Sequence, residues 1–295
     1  MLVSMIKPNL IIPGAPKSGT SSLHEYLNLH PQINMSQKVK EPHIYSIKER
    51  YDSRFDCSKP RSFCNIFTHS ENTIYYGESS TTYLISKEAP LRIYKDNPDI
   101  KFIIILRDPI ERIISHYNWL YSFNVIKKNF LDEIKEWDEK SFNSEIYFNG
   151  NYKNYIEFSE YGKQLENYLN YFDLNQLLIL ETKELKEKPL HVLNRCFNFL
   201  GLKKLETINV IEKNKTKIST ELKIPRHITK ISRIIPTKIK QSNYTNKIKQ
   251  ILFQKKNTPP PVNDKDIKWL QERLAKDIDL LRNLTGKAFE SWTYF

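Results

Sequence analysis

Apolar residues in this 295-residue chain repeat with two different periods, and the switching between them lays out the elements. A short apolar run, Leu10-Ile11-Ile12, breaks at Pro13-Gly14, and a helical stripe of Leu23, Tyr26 and Leu27 begins near Thr20. His30-Pro31-Gln32-Ile33 reads as a turn into a short extended segment, which leads on to Lys38 through Tyr45. Thr73 to Gly77 is β-branched and aromatic, as a strand requires. The clearest strand is Lys101 to Leu106 (KFIIIL), a continuous apolar run of the kind buried on both faces of a parallel sheet. It ends at Arg107-Asp108-Pro109, where Asp108 suits an N-cap and Pro109 the first helical position. Ile110, Ile113, Ile114, Tyr117 and Leu120 then form a helical stripe.

The second half repeats the alternation. Leu165 to Phe172 is helical, Gln176 to Leu180 is another buried strand, and Pro189 to Leu200 is a helix closed by Gly201. Asp264 to Leu284 is an amphipathic helix ending at Gly286. Between these lie poorly periodic stretches, of which 46–70, 121–158 and 218–255 read as variable insertions around a site. The pattern predicts an α/β protein, a single domain over 1–295, with a central parallel sheet flanked by helices on both faces. Pro259-Pro260-Pro261 reads as a rigid connector within it.

The junction of the first strand and helix carries the first chemistry. Residues 14–22, GAPKSGTSS, give strand, glycine loop and helix in that order, a layout that aims backbone N–H groups and a helix N-terminus at an anion. Two of the chain's seven glycines, Gly14 and Gly19, are placed there. The loop is P-loop-like, but the nucleotide-triphosphate pattern needs lysine at position 20, where this chain has Thr20. Its lysine is Lys17, inside the loop, which shifts the cation toward the first phosphate group of a shorter ligand.

Composition changes this picture little. The net charge of +12 attracts anions in general, but Lys, Asn and Ile are abundant throughout, so charge alone selects no partner. The basic stretch from Lys203 to Lys256 has no nucleic-acid-binding signature, and no nucleic-acid partner is expected. Cys57, Cys64 and Cys196 show no metal-ligand spacing; Cys57 and Cys64 could pair, but reduced thiols in a reducing compartment are expected, and no metal. The first eight residues do not resemble a signal peptide, and no apolar run approaches the ~20 residues of a membrane span. The expectation is a cytoplasmic protein without a transmembrane segment. The sequence carries no signal for oligomeric state.

Two further constellations stand beside the loop. Arg107 lies where a central strand ends, the edge at which open α/β sheets bind ligands, and Ser115 follows about two helical turns later. Together they could hold a phosphate, with arginine supplying a charge-assisted fork; singly, Arg107 could pair with a neighbouring carboxylate and Ser115 could lie on a helix surface. Pro42 biases Glu41 toward extended backbone, and His43 then shares its face. Either could serve as a general base, or Glu41 could simply pair with Lys38 or Lys40.

In combination, PKSGTSSL, KEPHIYS and LRDPIERIISHY resemble the sulfotransferase family that uses 3′-phosphoadenosine 5′-phosphosulfate (PAPS), most of all the branch of heparan sulfate and bacterial carbohydrate sulfotransferases. YGKQLENYLNYF, QLLILETKEL, CFNFLGL, NKTK at 214–217 and LTGKAFESW extend the similarity over nearly the whole chain. The resemblance implies a P-loop-like fold in which Lys17, Ser18, Gly19, Thr20, Ser21 and Ser22 cradle the 5′-phosphosulfate, with Lys17 stabilising the leaving phosphate. It implies Arg107 and Ser115 on the 3′-phosphate and Glu41 as the base that activates an acceptor hydroxyl or amine, with His43 next in line. PAPS would be the co-substrate, with no metal required, and the acceptor a small molecule or an oligosaccharide. Two departures stand out. Relatives in this branch often carry lysine where this chain has Ser79, and the Lys-Gly-Arg loop over the 3′-phosphate has only Lys255 and Lys256 as counterparts. Two other classes compete. A P-loop kinase or NTPase requires lysine beside Thr20 and an acidic Mg²⁺ ligand at a strand end; a non-catalytic polyanion-binding protein requires a basic, aromatic-interleaved module.

Overall fold

A computed structural model describes residues 6–68, 70–122, 125–139, 153–208 and 258–295. Five parallel strands form one sheet in the order β2-β3-β1-β4-β5. They are β1 (Leu10–Ile11), β2 (Ile33–Met35), β3 (Tyr75–Glu78), β4 (Lys101–Leu106) and β5 (Leu177–Glu181). The apolar runs explain the layering. In β4, Phe102, Ile104 and Leu106 enter one core cluster while Ile103 and Ile105 enter the other. The strands at the centre of the sheet are therefore buried on both faces, as expected for a parallel sheet covered by crossover helices.

One face is covered by helices α1 (Thr20–Leu27) and α9 (Pro189–Phe199), which contribute Leu23, Leu27, Val192 and Phe197. The other is covered by α4 (Ala89–Asp96), α5 (Pro109–Ser122), α7 (Tyr161–Leu169) and the long α10 (Asp264–Thr285). The local signals act as their chemistry requires. Asp108 Oδ1 accepts from the backbone N–H of Ile110 and Glu111 at 2.9 and 3.1 Å, capping α5. Asn263 and Asp266 form a reciprocal capping box at the start of α10, and Gly286 ends it at φ 65°. Asp277 of α10 accepts from the N–H groups of Gly162 and Lys163, both at 2.9 Å, and so satisfies the exposed start of α7.

Three expectations need revision. Residues 46–68, read as a poorly periodic insertion, have regular structure: they hold α2 (Lys48–Asp52) and α3 (Phe63–Ile66), and bury Phe63 and Ile66 in the core. The region 121–158 likewise contributes α6 (Phe130–Asp138) and buries Tyr155 and Ile156; its aromatics pack although their spacing lacks a clean helical period. Finally, Cys57 and Cys64 are joined in a disulfide, because the chain reversal between α2 and α3 brings their Cα atoms to 5.2 Å. Cys196 is free and buried. Among the described residues no helix is long and apolar enough to cross a membrane. Lys255, Lys256 and the 214–217 segment lie outside the described residues. Two short helices complete the set, α3 as above and α8 (Thr182–Glu187), which follows β5 directly.

Candidate active site

The sheet order places β1 at the centre, with β2 and β3 on one side and β4 and β5 on the other. The chain therefore changes direction between β1 and β4, where open α/β sheets bind their ligands. The loop after β1 and the end of β4 are stitched together: Ala15 N–H donates to Ile105 O at 2.8 Å, and Ile105 N–H to Gly14 O at 3.0 Å. A Cβ on Gly14 would lie 2.8 Å from two atoms of Leu84, so this glycine serves close packing. Lys17 (φ 67°) and Gly19 (φ 94°) both adopt left-handed backbone, which turns the loop into α1. Ser18 and Thr20 are buried, Ser22 is half-buried and Ser21 is exposed. From the end of β5, Thr182 Oγ1 lies 2.6 Å from the carbonyl of Ser18 and 2.9 Å from that of Leu106, linking the loop to β4.

Lys17 is the electrostatic centre of this loop. Its ammonium sits 5.1 Å from the ring centroid of Trp119 on α5, and among the described residues no carboxylate lies within ion-pair distance. Burial, then the positive charges of Arg112 and Arg107, lower its pKa to about 8. Arg112 is fully buried, donates from Nε to Ser159 Oγ at 2.6 Å, and likewise has no ion-pair partner among the described residues. Burial, the dominant cause, brings its pKa down to about 10. Three cations thus face one another with too little negative charge between them, and such an arrangement is relieved by an anion.

Arg107 is half-buried, and its Nε donates to Glu111 Oε2 at 2.9 Å, while its carbonyl accepts from Tyr161 Oη at 3.1 Å. Ser115 lies half-buried on α5, and no hydrogen bond joins it to Arg107. The C-terminal tail wraps this end of the site: Tyr294 N–H donates to Asp108 Oδ2 at 2.8 Å and Thr293 Oγ1 to Glu111 Oε1 at 3.2 Å.

Glu41 and His43 come together across from the loop, with His43 Nε2 3.8 Å from Glu41 Oε2. The chain turns at His43 itself, which has φ 54°. Side chains after β3 hold the pair. Thr81 Oγ1 donates to Glu41 Oε2 at 3.1 Å, Thr82 Oγ1 lies 2.8 Å from His43 Nδ1, and Ser80 Oγ accepts from His43 N–H at 2.9 Å. Lys40 Nζ donates to Glu41 Oε1 at 2.7 Å. Burial works to raise the Glu41 carboxyl, but the charge and hydrogen bond of Lys40, with His43 and Thr81, outweigh it and keep it below its ordinary value. Burial, opposed by Glu41 and reinforced by Arg50, Arg61 and Lys40, brings His43 to about 4. At neutral pH the pair is a carboxylate beside a neutral imidazole.

Ser79, at the position where lysine was expected, is fully buried with its Oγ 2.5 Å from His24 Nδ1 on α1. The ammonium beside Glu41 is that of Lys40. Glu78, which ends β3, is fully buried; burial pushes it up to about 7, and its Oε2 accepts from Ser80 N–H at 2.7 Å.

Sequence reasoning singled out Lys17 to Ser22, Arg107, Ser115, Glu41 and His43, and named Lys40 as an ion-pair partner of Glu41 and Ser79 as a departure. It passed over Arg112, Thr182, Trp119, Thr81 and Thr82. The five consecutive polar residues 78–82 directly after a strand were the available signal, since a solvated turn rarely buries all of them.

The sulfotransferase domain model matches residues 7–276. Among curated proteins the chain is similar to human heparan sulfate glucosamine 3-O-sulfotransferase 3B1, at 30% identity over 219 residues, covering 71% of this chain and 50% of that protein. It is also similar to the mouse heparan sulfate glucosamine 3-O-sulfotransferase 5, at 32% over 196 residues, 66% of this chain and 54% of that one. The chain therefore spans about half the length of the curated relatives it matches. In fold it is similar to a sulfotransferase from Alicyclobacillus acidocaldarius, with TM-score 0.68, 21% identity, and coverage of 97% and 99% of the two chains. With most of its length matched by the domain model, the chain belongs to the sulfotransferase family.

Proposed function

We propose that this chain transfers a sulfuryl group from PAPS to a hydroxyl, or an amine, of a carbohydrate by in-line displacement. The observation that carries the reading is the cation cluster of Lys17, Arg107 and Arg112 at the β1–β4 end of the sheet, in which Lys17 and Arg112 have no ion-pair partner among the described residues and Arg107 has Glu111. The residues fit the donor. Lys17 and the N–H groups at the start of α1 suit its 5′-phosphosulfate, and Arg107, exchanging Glu111 for phosphate, suits the 3′-phosphate together with Ser115. When bound, PAPS supplies the sulfuryl group and a phosphate leaving group.

The chain's own residues do the rest. Lys17 holds positive charge where negative charge grows on the leaving phosphate, in a partly desolvated loop where that charge counts for more than in water. Glu41, ionised at neutral pH, accepts the acceptor's proton. Thr81 and Lys40 fix its two oxygens, and His43 stays neutral and keeps its ring on Thr82. The carbohydrate class rests on the relatives, whose names place their activity on heparan sulfate glucosamine. A phosphoryl-transfer reading is less well supported: Thr20 stands where the triphosphate lysine belongs, and Glu78, at the strand end, is buried and turned onto Ser80.

Calorimetry with 3′-phosphoadenosine 5′-phosphate (PAP) tests the donor half. Binding at micromolar concentration, with ATP much weaker, is expected; equal binding of ATP overturns it. Labelled PAPS with heparan sulfate as acceptor tests the other half. Glu41→Gln should reduce transfer by about 10² or more while PAP affinity holds. Full activity in that variant would move the base assignment to His43.

A further inference from the structure

The segment that carries the candidate base has no secondary structure of its own, yet His43 is held at φ 54°. A non-glycine residue in that region persists only where its surroundings over-determine it. From the sheet side, Ser80, Thr81 and Thr82 supply three contacts, and Ser79 N–H donates to Lys40 O at 3.3 Å. The opposite side is held by two arginines. Arg61 Nη1 donates to the carbonyl of Glu41 at 2.8 Å, and Arg50 Nη1 to the carbonyl of Pro42, also at 2.8 Å. Consecutive carbonyls flanking one peptide are each capped by a separate guanidinium.

Both arginines come from the 46–68 segment, which is itself fixed. Arg54 forms a two-pronged pair with Asp96 of α4 at 2.7 and 2.9 Å, and its carbonyl accepts from Phe63 N–H at 2.8 Å. The Cys57–Cys64 bond closes the loop that presents Arg61. The guanidinium groups are therefore delivered from a frame anchored in the core rather than from a free surface loop.

We propose that Arg50 and Arg61 are positioning residues for the Glu41–His43 pair, so that the 46–68 segment forms the second jaw of the acceptor half of the site. This rests on Glu41 serving as the base in the proposed reaction. The clamp acts in two ways. It fixes the peptide between Glu41 and His43 through its carbonyls, and it sets positive charge against His43, which otherwise faces Lys40 and the opposing Glu41.

The test reads His43 directly, without an acceptor. The His43 ring is titrated by NMR in the full chain, in wild type, Arg50→Met, Arg61→Met, the double variant and the corresponding double lysine variant, with PAP affinity measured beside it. In wild type a midpoint at about 4 is expected. Loss of both guanidinium groups should raise it by about one unit, and lysine, which keeps the charge, should restore it. PAP affinity should stay within about twofold throughout, because the clamp does not touch the Lys17 loop. A midpoint unmoved in the double methionine variant overturns the proposal. So does a shift accompanied by loss of PAP binding, which would mark a global change. If wild type does not bind PAP but the midpoint shifts as expected, the donor reading fails and the clamp stands.

Discussion

The position of Lys17 makes donor binding a pH measurement. Its ammonium is pushed to about 8 in the free protein by burial and then by Arg112 and Arg107. The proposed phosphosulfate or phosphate ligand interacts only with the charged form. The sign follows: below the free-protein pKa the site is already protonated and affinity is flat, and above it each bound ligand must first recruit a proton. For a single group at about 8, affinity scales as one over one plus the deprotonated-to-protonated ratio, so it should fall about tenfold between pH 7 and pH 9. The assay is calorimetric titration with PAP over that range, repeated in buffers of different ionisation enthalpy to count protons. Uptake approaching one proton per ligand is expected near pH 9, and almost none near pH 6.5. Lys17→Arg should bind without this limb, since guanidinium stays charged, and Lys17→Met should bind weakly at every pH. A wild-type affinity that stays constant to pH 9, or proton uptake that survives Lys17→Met, would refute the reasoning.

Two more predictions concern the supports of the site. Thr81→Val removes the hydroxyl from Glu41 Oε2 and leaves a partly buried carboxylate short of a donor; at about 1.5 kcal/mol for a hydrogen bond to a charged group, transfer should fall about tenfold with PAP affinity unchanged. An equal loss in both quantities would place Thr81 in overall folding instead. Gly162→Ala puts a Cβ 2.4 Å from the carbonyl of Asp277, backbone that cannot turn aside, at the contact between α7 and α10. Overpacking of this kind should cost about 1–3 kcal/mol, read as a lower denaturant midpoint at constant slope, and an unchanged midpoint would show that α10 can slide.

The placement of Lys17 and Arg107 in the candidate site was legible in the sequence because secondary structure builds it. The runs at 10–12 and 101–106 are strands, their ends carry Lys17 and Arg107, and the sheet order brings those ends side by side. Asp108 and Pro109 announce the helix that bears Ser115. Arg112 escaped notice because on a helical projection it looks like a solvated charge, and only the packing of the 155–159 segment against α5 buries it. The disulfide was misread for a related reason. A spacing of seven residues says nothing about distance until Phe63 and Ile66 are packed and the chain has been turned back.

The acceptor half follows a different logic. Glu41 belongs to no strand or helix, so its position is the sum of separate contacts: Lys40 and Thr81 on its oxygens, Arg61 on its carbonyl, Arg50 on the next one. None of these has a sequence period. The residue after the strand-end glutamate illustrates the point. Ser79 pairs there with His24, and the ammonium on Glu41 comes from Lys40. Lys40 keeps Glu41 ionised but also makes it a weaker base, since a depressed pKa lowers proton affinity in proportion. The Lys17 loop is therefore held by the fold, while the protonation of Glu41 is set by the side chains gathered around it.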